Sequence, residues 1–206
     1  MSQYFRIHPD NPQSRLIKHA VEIIRKGGVV VYPTDSAYAI GCHIGDKSAL
    51  DRIIKIRQLD KKHSFSIICP DLSSISTYAK VGNSHYRLLK AYTPGPYTFI
   101  FPATSELPRR LMHPKRKTIG IRVPDNAITL ALLEELGEPL MTATLLLPGD
   151  EYPLCDPEEI RDHLEQQVDL IVDGGYGMME ETTIIDMVEN VPEVVREGLG
   201  DSSPFM

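Results

Sequence analysis

Apolar residues recur along the chain in two alternating rhythms. Leu16, Ile17, Ala20, Val21 and Ile24 fall at the three- and four-residue spacing of one helix face, behind Asn11-Pro12 and ahead of Gly27-Gly28, so a helix is predicted to start and stop there. Residues 29–32 (VVVY) then read as a short buried strand. Asp46 caps a second predicted helix carrying Ala49, Leu50, Ile53 and Ile54. Residues 64–69 (SFSIIC) form a strand, helical patches cover 72–79 and 85–92, TPGP breaks the chain, and 97–101 (YTFIF) and 118–124 (TIGIRVP) resume as strands. NAITLALLEELG is a helix closed by Gly137, residues 139–149 (PLMTATLLLPG) begin as a strand, and 157–166 are helical. DLIVDGG, TTIIDMV and EVVRE supply the last strands, the final two antiparallel in appearance. This alternation predicts a single α/β domain over residues 1–206, with a twisted mixed parallel/antiparallel sheet packed by helices. The last six residues, 201–206, are short on apolar side chains and predict a disordered tail.

Composition sharpens the picture in one respect. With 206 residues, 42% hydrophobic and 24% charged, the chain has material for one substantial core. No apolar run approaches the roughly 20 residues needed to span a bilayer, and the first residues lack the apolar core of a signal peptide. Cys42, Cys69 and Cys155, odd in number and irregularly spaced, read as reduced thiols of a cytoplasmic protein. The net charge of −6 hides a division: residues 1–149 hold 20 Lys/Arg against 12 Asp/Glu, and residues 150–206 hold 2 against 16. The first part is therefore +8 and the last −14. An anionic partner for the basic body accounts for this, and so does an acidic third that packs against it.

Several familiar sites are missing from the sequence. There is no phosphate loop and no dinucleotide fingerprint; GGYG at 174–177 lacks the spacing and the following helix. Seven scattered histidines predict no metal centre, and PATSEL is not a nucleophile elbow. What remains is a polar burst and a set of cations. Thr34, Asp35 and Ser36 follow directly on a buried strand, the position where α/β proteins bind ligands, although a proline turn explains them too. Lys55 and Arg57 stand two apart, so on a continuous helix they face about 200° apart. If both serve one site the helix must end near Ile56; a solvated helix C-terminus accounts for them equally. Arg122 lies within an apolar strand, on the side of Thr118 and Gly120, and needs an anion or water there. Thr142 and Thr144 share a face, and Thr182, Thr183 and Arg196 follow later, although threonine is also an ordinary strand residue. Arg109, Arg110, Lys115, Arg116 and Lys117 crowd one proline-broken loop, and Lys61 and Lys62 follow Arg57; a phosphate-rich partner or simple solvation fits both groups.

Taken in order, GGVVVYPTDSAYAIGC, KIR, PGPYTFIFP, TIGIRVPDN, PLMTATLLLPG, DLIVDGG, TTIID and VVREG resemble the YrdC family, and within it the YciO branch. The resemblance covers nearly the whole chain and rests on the order and spacing of the pieces, none of which is diagnostic alone. Family members make threonylcarbamoyl-AMP for a tRNA modification, so the resemblance implies a YrdC/RibB-like fold and a synthase-type site. In that site Thr34, Arg122, Thr142 and Thr182 would hold substrate, and Lys55, Arg57, Thr118, Thr144 and Arg196 would hold nucleotide. Lys55, Arg57 and Thr144 would act in catalysis. The implied substrate is ATP with Mg²⁺, and no structural metal is implied. A carbamate formed from threonine and bicarbonate would attack the α-phosphate and release pyrophosphate; an anionic nucleophile needs little base, so the site's work is to gather and stabilise negative charge. The chain departs from the family pattern where S-x-N becomes Thr144 and Leu146, where the proline after K-x-R is Gln58, and where the tryptophan before P-G-P is Thr93. A leucine makes no hydrogen bond. The lost contact is worth roughly 1.5–3 kcal/mol, about one to two decades of rate, so weak or absent synthase activity is expected. Family members are also associated with double-stranded RNA, which implies an RNA partner, duplex or tRNA, bound through Lys61, Lys62, Arg109, Arg110, Lys115, Arg116 and Lys117. The alternatives are a non-catalytic protein of RNA maturation and an adenylate-processing enzyme with another acyl acceptor.

Overall fold

The structure, a computed structural model, describes residues 1–60 and 63–206; Lys61 and Lys62, two of the expected RNA-facing cations, lie outside the described residues. Among the described residues ten strands form one sheet: β1 (Gln3–Arg6), β2 (Val30–Tyr32), β3 (Ala39–His43), β4 (Ser66–Ile68), β5 (Tyr97–Pro102), β6 (Thr118–Arg122), β7 (Leu140–Thr144), β8 (Leu170–Asp173), β9 (Thr183–Asp186) and β10 (Glu193–Arg196). Their order across the sheet is β1-β8-β2-β3-β7-β4-β6-β5-β9-β10. Pairing is parallel for β1/β8, β2/β8, β4/β6 and β5/β9 and antiparallel elsewhere, the mixed sheet that the strand–helix alternation predicts.

The helices are α1 (Ser14–Arg25), α2 (Lys47–Arg57), α3 (Ile75–Tyr78), α4 (Asn83–Tyr92), α5 (Ala127–Leu136) and α6 (Pro157–Leu164). α1 starts at Ser14 behind Gln13, without a side-chain cap bond and not at the expected Asn11-Pro12, whereas α2, α5 and α6 follow the capping chemistry. Asp46 accepts from Ala49 N at 2.8 Å, Asn126 from Thr129 N at 3.1 Å, and Asp156 from Glu158 N at 3.0 Å ahead of Pro157. Gly137, at φ 74°, closes α5 in the left-handed conformation that glycine adopts without strain. No helix among the described residues is long and apolar enough to cross a membrane.

Each sheet face buries a core of its own. On one, Val31, Ile40, Met141, Ile67, Ile121, Phe99 and Ile185 pack beneath α2, α3, α4 and α6. On the other, Val30, Tyr32, Ala39, Leu140, Ile68, Leu170 and Val172 pack beneath the apolar stripes of α1 and α5. That second core stops short. Gly41 lies opposite Thr142, Thr142 opposite Ser66, and Ser66 opposite Gly120, so a row of small side chains crosses the central strands. A Cβ on Gly120 would run into Ser66 Oγ and the Thr98 methyl. The sheet is shallow there, and the candidate polar residues gather around it.

Several expectations need correction. The patch at 72–79 condenses to the single turn of α3. β1 was not legible: its residues are half exposed and lack strict alternation. β7 ends at Thr144, although the apolar run continues through Leu147. The chain end is ordered, contrary to the predicted disordered tail. Ser203–Phe205 forms a 3₁₀ turn, and Phe205 is buried among Tyr92, Tyr97 and Phe99 with ring centroids 4.9, 5.7 and 6.0 Å away. One aromatic ring fixes a segment whose composition otherwise favours solvent.

Candidate functional site

Arg122 closes β6 and is 6% exposed. Its Nη2 donates to Thr34 Oγ1 and to Ser36 Oγ, each at 2.9 Å, and pairs with the Asp35 carboxylate. The other Asp35 oxygen accepts from Asp125 N at 3.0 Å, just ahead of α5. Thr34 Oγ1 donates to Ala37 O at 2.7 Å and accepts from Ser36 N at 3.1 Å, while Thr129 Oγ1 donates to Pro33 O at 2.6 Å. The polar burst after β2 is thus a loop clasped between Arg122 and the start of α5. Arg122 Nε is buried there without a partner. Burial of an arginine needs a compensating anion, and the anion is Asp35, a residue the sequence displays beside Thr34.

A second group lies on the same face. Gly120 and Arg122 alternate onto one side of β6, and Thr98 of β5 touches that side. Thr98 Oγ1 and Thr182 Oγ1 share a hydrogen bond of 2.8 Å. Arg196, on β10, donates to Thr182 O from Nε at 3.2 Å and Nη2 at 2.8 Å, and pairs through Nη1 with Glu181 at 2.8 Å. Arg122 and Arg196 therefore flank one face, with Thr98 and Thr182 between them. Toward β2, Tyr32 OH donates to Thr142 Oγ1 at 2.8 Å; full burial pushes that phenol up to about 12, so it stays a donor. Thr118 lies on the Arg122 side of β6 at the opposite end of the strand, and Thr144, half-buried, lies two residues beyond Thr142.

The two cations of KIR diverge. α2 remains helical through Arg57 and ends at Gln58 in the left-handed region, at φ 50°. Lys55 is exposed and lines a groove of about 500 Å³ with Arg52, Gln58, Leu147, Pro148 and Gln167. Arg57 is half-buried, with its Nε unpartnered; burial lowers its pKa, and the charge of Glu181 works against that. His63 is held below the ordinary imidazole value by burial and then by the Arg57 guanidinium. A proline ring cannot reach φ 50°, so Gln58, where the family pattern has proline, belongs with this way of ending the helix. Leu146 is half-buried, and Leu147, not Leu146, packs against the main core.

Of the basic loop, Arg110 Nη2 donates to Gly45 O at 2.6 Å and Arg116 pairs with Asp186 at 2.5 Å. Arg109, Lys115 and Lys117 are exposed and enter no ion pair among the described residues. Among the described residues no cluster of three or more His, Cys, Asp or Glu could hold a metal ion. The sequence singles out Asp35 and Ser36 in the polar burst without giving them a role, and it gives no sign of Tyr32, Thr98 or Glu181. Asp35 and Ser36 were visible in the burst and in the need of Arg122 for an anion. Thr98 and Glu181 are placed by strand register and a loop, which local patterns do not encode.

The order of strands and the arginine-flanked face define an α/β protein of the Sua5/YrdC fold. The family profile for Sua5, YciO and YrdC, described as telomere recombination, matches residues 22–198, and the chain belongs to this family. It is 60% identical to the protein YciO of Escherichia coli (strain K12) over 206 residues, all of both chains, and the crystal structure of E. coli YciO superimposes with a TM-score of 0.97. A threonylcarbamoyl-AMP synthase of Vibrio vulnificus (strain YJ016) is 27% identical over 164 residues, 78% of this chain and 87% of that one. Pyrococcus abyssi Sua5 in complex with L-threonine shares the fold, with a TM-score of 0.88 over 96% of this chain and 58% of its own, at 24% identity.

Proposed function

We propose that this protein is a nucleotide- and RNA-binding relative of the L-threonylcarbamoyladenylate synthases, in which synthesis from ATP, threonine and bicarbonate is weak or lost. The family relationship supports the site class, and the arginines of the shallow face support retention of an anionic ligand. Thr34, Thr142 and Thr182 offer hydroxyls for a small polar substrate. Arg57, Arg122 and Arg196, with Thr144, offer charge and donors for a phosphate chain, and Lys55 adds positive charge from its own groove. Thr118 lies on the same side of β6, where the family pattern places a nucleotide contact. Magnesium would arrive with ATP and help to neutralise the phosphates. Unpaired cysteines favour a cytoplasmic location.

One observation carries the reading of reduced chemistry. Leu146, two residues past Thr144, puts a half-buried aliphatic chain where the family pattern has an amide, and its neighbour Leu147 lines the groove that holds Lys55. Charge for binding survives there while a directional contact is gone. The test is threonylcarbamoyl-AMP formation from ATP, threonine and bicarbonate, beside the Vibrio vulnificus synthase. Wild-type protein should be far slower, and Leu146→Asn with Thr144→Ser should raise the rate by about one to two decades, the equivalent of roughly 1.5–3 kcal/mol. Wild-type turnover equal to the synthase would refute it.

The RNA reading is favoured by Arg109, Lys115 and Lys117, exposed together on one loop without internal ion pairs among the described residues. Each phosphate contact contributes about −0.9 to the log–log salt slope on duplex DNA. Removing these three charges should flatten the slope for duplex RNA by about two to three units. An unchanged slope and affinity would exclude the loop.

A further inference from the structure

The candidate face carries its own counter-anions. Arg122 is neutralised by Asp35, deep in the clasped loop, and Arg196 by Glu181. The two carboxylates differ in place. Asp35 is locked on both oxygens, by Arg122 and by the Asp125 amide. Glu181 is bound through Oε2 to Arg196 Nη1 alone, at 2.8 Å, in a pair whose side chains are 35% and 27% exposed. The Arg196 fork is held from its other edge by the Thr182 carbonyl, so Nη1 keeps its direction with or without Glu181. Arg57, its Nε buried and unpartnered, lies within charge range of Glu181. The Glu181 charge works against the effect of burial on Arg57.

We infer that Glu181 is a specificity-determining residue: its side chain occupies, on Arg196 and within charge range of Arg57, the place of a ligand phosphate, and it admits only anions charged enough to displace it. This rests on the reading that the face binds an anionic nucleotide. A guanidinium prefers a phosphate, which offers more acceptor oxygens and more charge than one carboxylate, so a multiply charged phosphate chain displaces Glu181. A monophosphate gains less against the same competitor. Glu181 thus biases the face toward polyphosphates.

The perturbation is Glu181→Gln, which keeps shape and removes charge. Glu180→Gln is the control: its side chain is exposed, and it is placed through its backbone carbonyl, which accepts from Ala37 N at 3.0 Å. Calorimetric titration with ATP and with AMP should show E181Q binding both more tightly, by about tenfold for AMP, and narrowing the preference for ATP; E180Q should stay within about twofold. The wild-type protein gives a reading independent of any variant. ATP placed against Arg57 offsets the charge that helps to hold His63 down, so the His63 imidazole should titrate at higher pH with ATP bound, followed by NMR. Wild-type protein that binds ATP while E181Q binds neither nucleotide more tightly, or with an unmoved His63, overturns the role of Glu181 and leaves the nucleotide reading intact. Absence of binding in wild type, E180Q and E181Q alike overturns both.

Discussion

Replacing Asp35 with asparagine tests the clasp at the centre of the site. The substitution keeps the volume and an acceptor for the Asp125 amide but removes the charge that faces Arg122. Both side chains are nearly inaccessible, 7% exposed for Arg122 and 9% for Asp35, so water offers little compensation. Breaking a buried pair from one side costs about 3–5 kcal/mol, because the remaining charge is left desolvated. The two hydroxyls at 2.9 Å, Thr34 and Ser36, stay as neutral acceptors and favour the lower end of that range. Folded domains hold only about 5–15 kcal/mol in total. With a urea dependence of about 2–3 kcal/mol per molar, D35N should lower the unfolding midpoint by about 1–2 M. The chain has no tryptophan, so far-ultraviolet circular dichroism is the appropriate signal. The double variant Asp35→Asn with Arg122→Met should recover part of the loss, since no uncompensated charge remains. Phosphate should stabilise D35N more than wild type, by supplying the missing anion. A midpoint within about 0.3 M of wild type, or a double variant weaker than both singles, would refute the view that Asp35 is the counter-charge of Arg122.

Three further expectations follow from the packing. Burial pushes the Cys42 and Cys69 thiols up to about 12, so at pH 8 their thiolate fraction is about one part in ten thousand; alkylation of folded protein should give a single adduct, at the half-buried Cys155, and two or more adducts by mass spectrometry would contradict this. Phe205→Ala should destabilise by about 3 kcal/mol, as for other buried aromatic truncations, whereas a free tail would give no change in the denaturation midpoint. His63 is held below its ordinary value in the fold, so the unfolded chain takes the proton first. Stability should be unaffected by this group above about pH 6.5 and fall below it, by at most about 1.4 kcal/mol per pH unit, and His63→Asn should flatten that slope.

Much of the fold was legible where local chemistry and burial agree. Asp46 and Asn126 start helices by their side chains and Gly137 ends one by its conformation, as the sequence indicates. Arg122 was legible as a charge in an apolar strand that demanded an anion. The misses share a cause: they depend on partners distant in sequence. β1 exists because β8 offers an edge, 167 positions away in register from Gln3 to Leu170. Phe205 is buried because β5 presents Tyr97 and Phe99 to it. Thr98 meets Thr182 only because β5 and β9 run side by side. Spacing alone set Lys55 and Arg57 about 200° apart on a helix and only the family resemblance joined them; the helix continues through Arg57 and keeps them apart.

The row Gly41, Thr142, Ser66 and Gly120 has a bearing on how such a face can change over time. Its depth is made by what those positions lack, and a glycine inside a strand costs about 0.5–1 kcal/mol relative to alanine. At Gly41 an added methyl would strike the backbone of Met141, and at Gly120 the side chain of Ser66, so neither hollow fills by a single neutral step. The rim is under no such restraint: Leu146, Thr144 and Gln58 sit at element ends or beyond them. A lineage on this scaffold is therefore free to rewrite its chemistry around the edge while inheriting the basin unchanged.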